Sequence, residues 1–228
     1  MLARRIVASV SIPAAQRQGS RSSIPAWARG ADEVLLRTPT PEKARTALHG
    51  ALGFGGLPVS VVTGTVSHAE VDDLLSAGAD RVYLWASEAR RIAAEAAARW
   101  GAAALGMVVS ARRDDAGGRC RLAATPADTD GELTLDDLRA LTRHAGDLLI
   151  VADDRTVACE DTMRALVGQV DVPVVVAGRL DTTEALRRVL IDAGASGVVF
   201  EPGSVEQFEN VAQIKTYLAA AGIVVRGA

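Results

Sequence analysis

The sequence predicts an α/β protein folded as a (β/α)8 TIM barrel, and three observations carry that prediction. Short β-branched runs alternate with Ala-, Leu- and Arg-rich stretches along almost all of the 228 residues. Most of these runs are continuously apolar, the pattern of parallel strands buried on both faces. The two halves of the chain also resemble each other at a nearly fixed offset, as a duplicated half barrel would.

Taken in order, the predicted strands are Arg5–Val10, Glu33–Arg37, Pro58–Val62, Arg81–Trp85, Ala104–Val109, Asp147–Ala152, Pro173–Val176 and Gly197–Phe200. Helix starts fall between them. Thr40-Pro41 puts proline in a first helical turn, where a missing N–H costs nothing. Ser67-His68-Ala69-Glu70 and Ser204-Val205-Glu206-Gln207 read as capping boxes, and Asp181 with Glu184 as a similar start. Eight strand–helix units in this length suit a (β/α)8 barrel slightly below the usual size. A doubly wound sheet has fewer strands and a glycine-rich first turn, and Ile6 to Ser11 offers no such turn.

Leu57-Pro58-Val59-Ser60-Val61-Val62, followed by Ala77-Gly78-Ala79, recurs as Val172-Pro173-Val174-Val175-Val176 followed by Ala193-Gly194-Ala195. The offset is 115 residues at the prolines and 116 at the triplets, half the chain. A weaker pair, Asp32-Glu33-Val34-Leu35-Leu36 and Gly146-Asp147-Leu148-Leu149-Ile150, lies 114 apart. The expectation is one barrel domain over residues 1–228, built from half barrels of about 1–102 and 103–228.

Composition narrows the function class. The chain has 25 basic and 28 acidic residues, a net charge of −3, and therefore no basic excess for a nucleic-acid partner. No apolar run nears the roughly 18 residues of a membrane helix, and Met1 to Val10 lacks a signal-peptide core. A cytoplasmic protein without a membrane partner is expected. Cys120 and Cys159 read as free thiols in a reducing compartment. His68 reads as a first-turn helix residue and His49 and His144 as surface-helix residues, so neither a metal nor a cofactor is expected.

Four stretches carry a family resemblance: Met1-Leu2-Ala3-Arg4-Arg5-Ile6-Val7-Ala8, the Pro58-to-Arg81 block, Asp153-Asp154-Arg155, and Ile214-Lys215-Thr216-Tyr217-Leu218 with Gly222-Ile223-Val224-Val225-Arg226. They resemble the cyclase subunit of imidazole glycerol phosphate synthase. The resemblance covers nearly all of the chain and thins over residues 12–30, where this chain is shorter. It implies a duplicated half barrel that takes ammonia from a glutaminase partner and closes an imidazole ring on a substrate with phosphate at each end. A glutaminase-like subunit at the N-terminal barrel face is the partner it implies.

The family's general acid and base are aspartates at the ends of the first and fifth strands, and the matching positions here are Ser11 and Ser110. An unactivated serine hydroxyl is too weak an acid or base to shuttle protons near neutral pH, and neither serine has a histidine beside it in sequence. The family's ring closure is therefore expected to be absent. Asp154 matches a family carboxylate and reads either as a surviving acid or base or as loop structure. Thr38 and Thr156 stand where the family has aspartates. With Ser11 and Ser110 they make the mouth less acidic, a hydrogen-bonding pocket for a small polar or phosphorylated ligand.

The resemblance also places the phosphate-binding turns. After the third strand, Val62-Thr63-Gly64-Thr65 keeps one glycine of the family's run. After the seventh, Ala177-Gly178-Arg179-Leu180 has arginine in place of glycine. After the eighth, Phe200-Glu201-Pro202-Gly203-Ser204 adds a carboxylate and loses an N–H donor. Thr63, Gly64, Gly178, Arg179, Gly203 and Ser204 are the candidate ligand residues; Glu201 repels phosphate, while Arg179 attracts it or pairs with Glu201. Trp85, after the fourth strand, roofs or plugs the mouth. Arg5, Glu33, Arg81 and Asp147 match the charged gate at the family's barrel bottom and keep its signs. Two readings of them stay open, a salt-bridged structural ring and an ammonia path.

Arg112 to Arg119 reads as an exposed hairpin or flexible loop, and Gln16 to Ser23 as a lid or a disordered stretch. Two functions from different classes follow. One is a repurposed small-molecule enzyme of the cyclase or lyase type, working with Ser11, Thr38, Ser110, Asp154 and Arg179. The other is a catalytically inactive pseudoenzyme that serves as scaffold or partner of a glutaminase-like protein. A third, the standard histidine-pathway step, requires serines to do the work of aspartates.

Overall fold

The computed structural model describes residues 3–11, 26–50, 56–113, 120–125, 132–157, 160–180, 182–201 and 208–227. The apolar runs form strands: β1 (Arg5–Ser11), β2 (Glu33–Arg37), β3 (Val59–Val62), β4 (Arg81–Trp85), β5 (Leu105–Arg113), β8 (Asp147–Ala152), β9 (Val174–Ala177) and β10 (Gly197–Phe200). These eight run parallel and close on themselves, β4 pairing with β5 on one side and β1 with β10 on the other. Helices α1 (Pro41–Gly50), α2 (His68–Ser76), α3 (Ala86–Trp100), α4 (Leu135–Thr142), α5 (Asp154–Val157), α6 (Glu160–Val167), α7 (Thr183–Arg187) and α8 (Val211–Ala220) fall between or after them.

Strand limits depart from expectation for identifiable reasons. Pro58 and Pro173 lack the N–H a ladder needs, so β3 and β9 begin one residue later. Their carbonyls still join the ladder, accepting from the N–H groups of Val34 and Leu148 at 2.9 Å each. Ala104 belongs to a short 3-10 turn, Ala102–Ala104, rather than to β5. At its other end β5 runs on to Arg113, because it pairs antiparallel with β6 (Cys120–Ala123), which in turn pairs with β7 (Glu132–Leu133). The segment expected as a hairpin or loop thus has hairpin arms; residues 114–119 lie outside the described residues.

The helix caps also mix agreement and correction. Ser67 caps α2 as expected: its hydroxyl accepts from the Glu70 N–H while Glu70 accepts from the Ser67 N–H at 2.7 Å. Thr134 and Asp137 form a second capping box on α4. Thr182, not Asp181, caps α7, its hydroxyl accepting from the Ala185 N–H at 3.1 Å. Asp181 and the Ser204-to-Gln207 capping box lie outside the described residues. The sequence repeat has matching geometry: Gly78 and Gly194 both take positive φ, +103° and +80°, ending equivalent turns.

Strand alternation sorts the core into two layers. One set of residues packs outward against the helices, Leu36, Leu84, Met107 and Ile150 among the most buried. The other fills the barrel interior with Val7, Leu35, Val62, Tyr83, Val108, Leu149, Val175, Ala177 and Val199. The last helix is tied down beneath the barrel. Buried Lys215 of α8 donates to Asp32 at 2.6 Å and to the Arg226 carbonyl at 2.7 Å, and Asp32 accepts from the Ile6 N–H at 2.8 Å.

Candidate functional site

Inward-facing residues of four strands meet at the N-terminal end of the barrel. Asp147 is only 1% exposed, and its Oδ2 accepts from Arg5 at 2.5 Å, from Arg81 at 2.8 Å and from the Tyr83 hydroxyl at 3.3 Å. Glu33 pairs with Arg5 at 3.1 Å and with Arg81 at 3.7 Å, and accepts from the Ser60 hydroxyl. Arg5, Glu33, Arg81 and Asp147 therefore form one neutral network of two cations and two anions. Burial works against the charge of Arg5, but Asp147 and then Glu33 more than offset it and hold its pKa above the ordinary value. Burial, reinforced by Asp147 and Glu33, pushes the Tyr83 phenol upward, so it remains a neutral donor.

Tyr83 is the member of this network that sequence reasoning missed. Its ring lies in the barrel interior against Gly106, where an added Cβ would come within 2.3 Å of the ring. Glycine is required there by close approach. The alternation of Arg81-Val82-Tyr83-Leu84-Trp85 places 81, 83 and 85 on one face, which was the available signal.

The C-terminal mouth is organised differently. Ser11 ends β1 in the open, paired in register with Arg37 of β2. Ser110 lies on β5, 4% exposed, in register with Val151. No described residue hydrogen-bonds either side-chain hydroxyl. His49 ends α1 and bonds the Arg45 carbonyl, His144 follows α4, and His68 sits between Asp72 and Glu95 on the helical layer. None supplies a base at either serine. His144 lies in the exposed turn after α4 rather than within a helix.

The other mouth candidates divide into those with visible structural duties and those at the opening. The Thr38 hydroxyl donates to the Thr40 carbonyl at 3.1 Å. Gly178 is needed for packing, since a Cβ would meet the Ala152 carbonyl at 2.7 Å and Val157 at 2.9 Å. Gly64 and Arg179 are exposed. Asp154 opens α5, and the cap of that turn is Asp153, which accepts from the Thr156 N–H at 2.7 Å. Thr63 and Thr156 are buried with unpartnered hydroxyls. Trp85 is held half-buried over the interior cluster, its indole N–H donating to the Thr63 carbonyl at 3.2 Å. Gly203, Ser204 and the expected lid at residues 16–23 lie outside the described residues.

Arg37 is the second residue sequence reasoning missed. It ends β2 on the inward phase of Glu33 and Leu35 and forms an ion pair with Glu201, just beyond β10. Among the described residues no group of three or more His, Cys, Asp or Glu side chains is placed to hold a metal ion. No described helix is long and apolar enough to cross a membrane.

A closed eight-stranded parallel barrel with a paired charge network at its base defines the (β/α)8 class of protein. The HisF subunit of imidazole glycerol phosphate synthase from Nocardioides sp. is 32% identical over 188 residues, covering 75% of this chain and 71% of that protein. The chain belongs to the HisF family of imidazole glycerol phosphate synthase subunits. It is also similar to the HisF subunits of Bacteroides thetaiotaomicron, 27% identical over 87% of this chain and 84% of that one, and of Metallosphaera sedula, 27% over 86% and 83%. No family model matches the chain.

Proposed function

We propose that this chain is a repurposed HisF-family barrel, assembled from half barrels of about residues 1–102 and 103–228. It binds a small polar molecule at the mouth and transforms it by cyclase- or lyase-type chemistry other than imidazole glycerol phosphate ring closure. The observation that carries this reading is the pair Ser11, ending β1, and Ser110, within β5, at the positions the resemblance matches to the family's acid and base, neither hydroxyl hydrogen-bonded by a described residue. A hydroxyl without a partner base neither takes nor gives a proton at useful rates near pH 7. It can still orient a ligand, and Arg179 and Asp154 are the further contacts this reading assigns to it.

A second reading is favoured by the barrel base. The four gate positions are spent on one another, and Tyr83 lies directly inside them. That arrangement suits a structural ring better than a passage. A glutaminase-like subunit docked on the N-terminal face then uses the barrel as a scaffold and delivers nothing through it.

Calorimetric titration with imidazole glycerol phosphate, with inorganic phosphate as control, separates the two readings. Binding that Ser110→Trp weakens at least tenfold supports the small-molecule site. Absence of both heat and thermal stabilisation removes a family-like ligand and leaves the scaffold.

A further inference from the structure

Two charged side chains of the mouth face each other across the end of β1. Arg37 ends β2 on the inward phase, and Glu201 continues the inward phase of Val199 beyond β10. Since β1 lies between β2 and β10, their ion pair bridges it. Ser11 is the register partner of Arg37, and Ser9, two residues earlier on the same face, follows the Ala8–Phe200 pair and so stands at the level of Glu201. Ser9 is 1% exposed, and its hydroxyl has no hydrogen-bond partner among the described residues. A buried hydroxyl left unbonded is costly, and this one lies on the inward face beside the half-exposed Arg37–Glu201 pair.

The ion pair is loosely held. Arg37 and Glu201 are 42% and 44% exposed, so water competes with the bond and the pair contributes little to the fold. Glu201 engages one guanidinium nitrogen, Nη1, leaving further N–H groups of the planar fork for another acceptor.

We propose that this cluster binds a zwitterion, an amino-acid-like molecule carrying one carboxylate and one ammonium. The carboxylate sits on Arg37, the ammonium on Glu201, and the hydroxyls of Ser9 and Ser11 bond the atoms between. The inference rests on the reading of the mouth as a small-molecule site and names its ligand class. Singly charged ligands fit poorly. An anion on Arg37 displaces Glu201 and then faces its carboxylate, whereas a cation on Glu201 strands the guanidinium. A zwitterion replaces the exposed Arg37–Glu201 pair with two external ones at constant charge.

The test is calorimetry and thermal shift on the full chain with glycine, β-alanine and 4-aminobutyrate, zwitterions of increasing charge separation. Acetate, methylammonium and inorganic phosphate, each carrying charge of one sign only, are the single-charge probes. At least one zwitterion binds tenfold or more tightly than every single-charge probe. Arg37→Met and Glu201→Gln each weaken it at least tenfold with unchanged circular dichroism, and Ser9→Ala weakens it severalfold. Acetate or phosphate binding as tightly as every zwitterion overturns the proposal, as does unchanged zwitterion affinity in Arg37→Met. Silence from all six probes with retained imidazole glycerol phosphate binding overturns the zwitterion alone. Silence from that ligand as well overturns the mouth as a ligand site.

Discussion

The two ends of the barrel differ in how they hold charge. At the base, Asp147 Oδ2 collects three donors, and every charge of Arg5, Glu33 and Arg81 meets an opposite one. At the mouth end, Ser9, Thr63 and Thr156 bury hydroxyls that bond nothing, and the Arg37–Glu201 pair is half open to water. A buried network in which every charge meets an opposite one stabilises a fold even with Asp147 Oδ1 left unbonded, whereas a half-exposed ion pair contributes little to it. The contrast places the stabilising charge network at the base and leaves the mouth as the end proposed to meet a ligand.

The sharpest way to break this contrast is at the base. Asp147→Ala leaves Arg5 and Arg81 facing each other with half their partners gone, and should cost about 3–5 kcal/mol in denaturant unfolding. A loss below about 1 kcal/mol would show that the ring is not one structural unit. Gly106→Ala drives a methyl into the Tyr83 ring and should cost about 1–3 kcal/mol. Tyr83→Leu in the same chain should recover part of that loss, read as coupling in a double-mutant cycle.

Away from both ends, Ser67→Ala removes the α2 cap and should cost about 1 kcal/mol. The Ser67 backbone N–H, then its hydroxyl, holds Glu70 below its ordinary pKa of 4.5. The contribution of Glu70 is therefore complete above pH 4.5 and disappears as pH falls through the depressed folded value. Stability of the wild type and of Glu70→Gln, compared across pH 2–6 by urea unfolding, should converge at the acid end. The smallest effect carries the opposite sign. Ser9→Ala deletes a buried hydroxyl that bonds nothing, so the variant should be neutral or more stable by up to about 1 kcal/mol. A destabilised Ser9→Ala would place the mouth under the same rule as the base.

Most of the barrel was legible because burial on both faces leaves continuous apolar runs, and Glu33–Arg37, Arg81–Trp85, Asp147–Ala152 and Gly197–Phe200 form strands at the residues expected. Strand ends were less legible where a long-range pairing decides them: Arg112 and Arg113 are strand residues because Arg121 and Cys120 lie opposite. The Thr134–Asp137 cap follows the same spacing rule as Ser67–Glu70 and was readable, though it was passed over. The candidate site was legible only as a set of positions. Arg5 and Asp147 are 142 residues apart, and nothing local says that they meet. Arg37 was hidden because a charge closing a strand reads as ordinary solvent exposure until β10 brings Glu201 beside it.

The proposed loss of the family's proton transfers at the mouth is tested by ammonia-dependent ring closure with purified protein made in a host lacking its own cyclase. Product is expected at no more than the rate of the protein-free control, with free ammonia supplied in excess. Ring closure above that control, abolished by Ser11→Ala or Ser110→Ala, would contradict it.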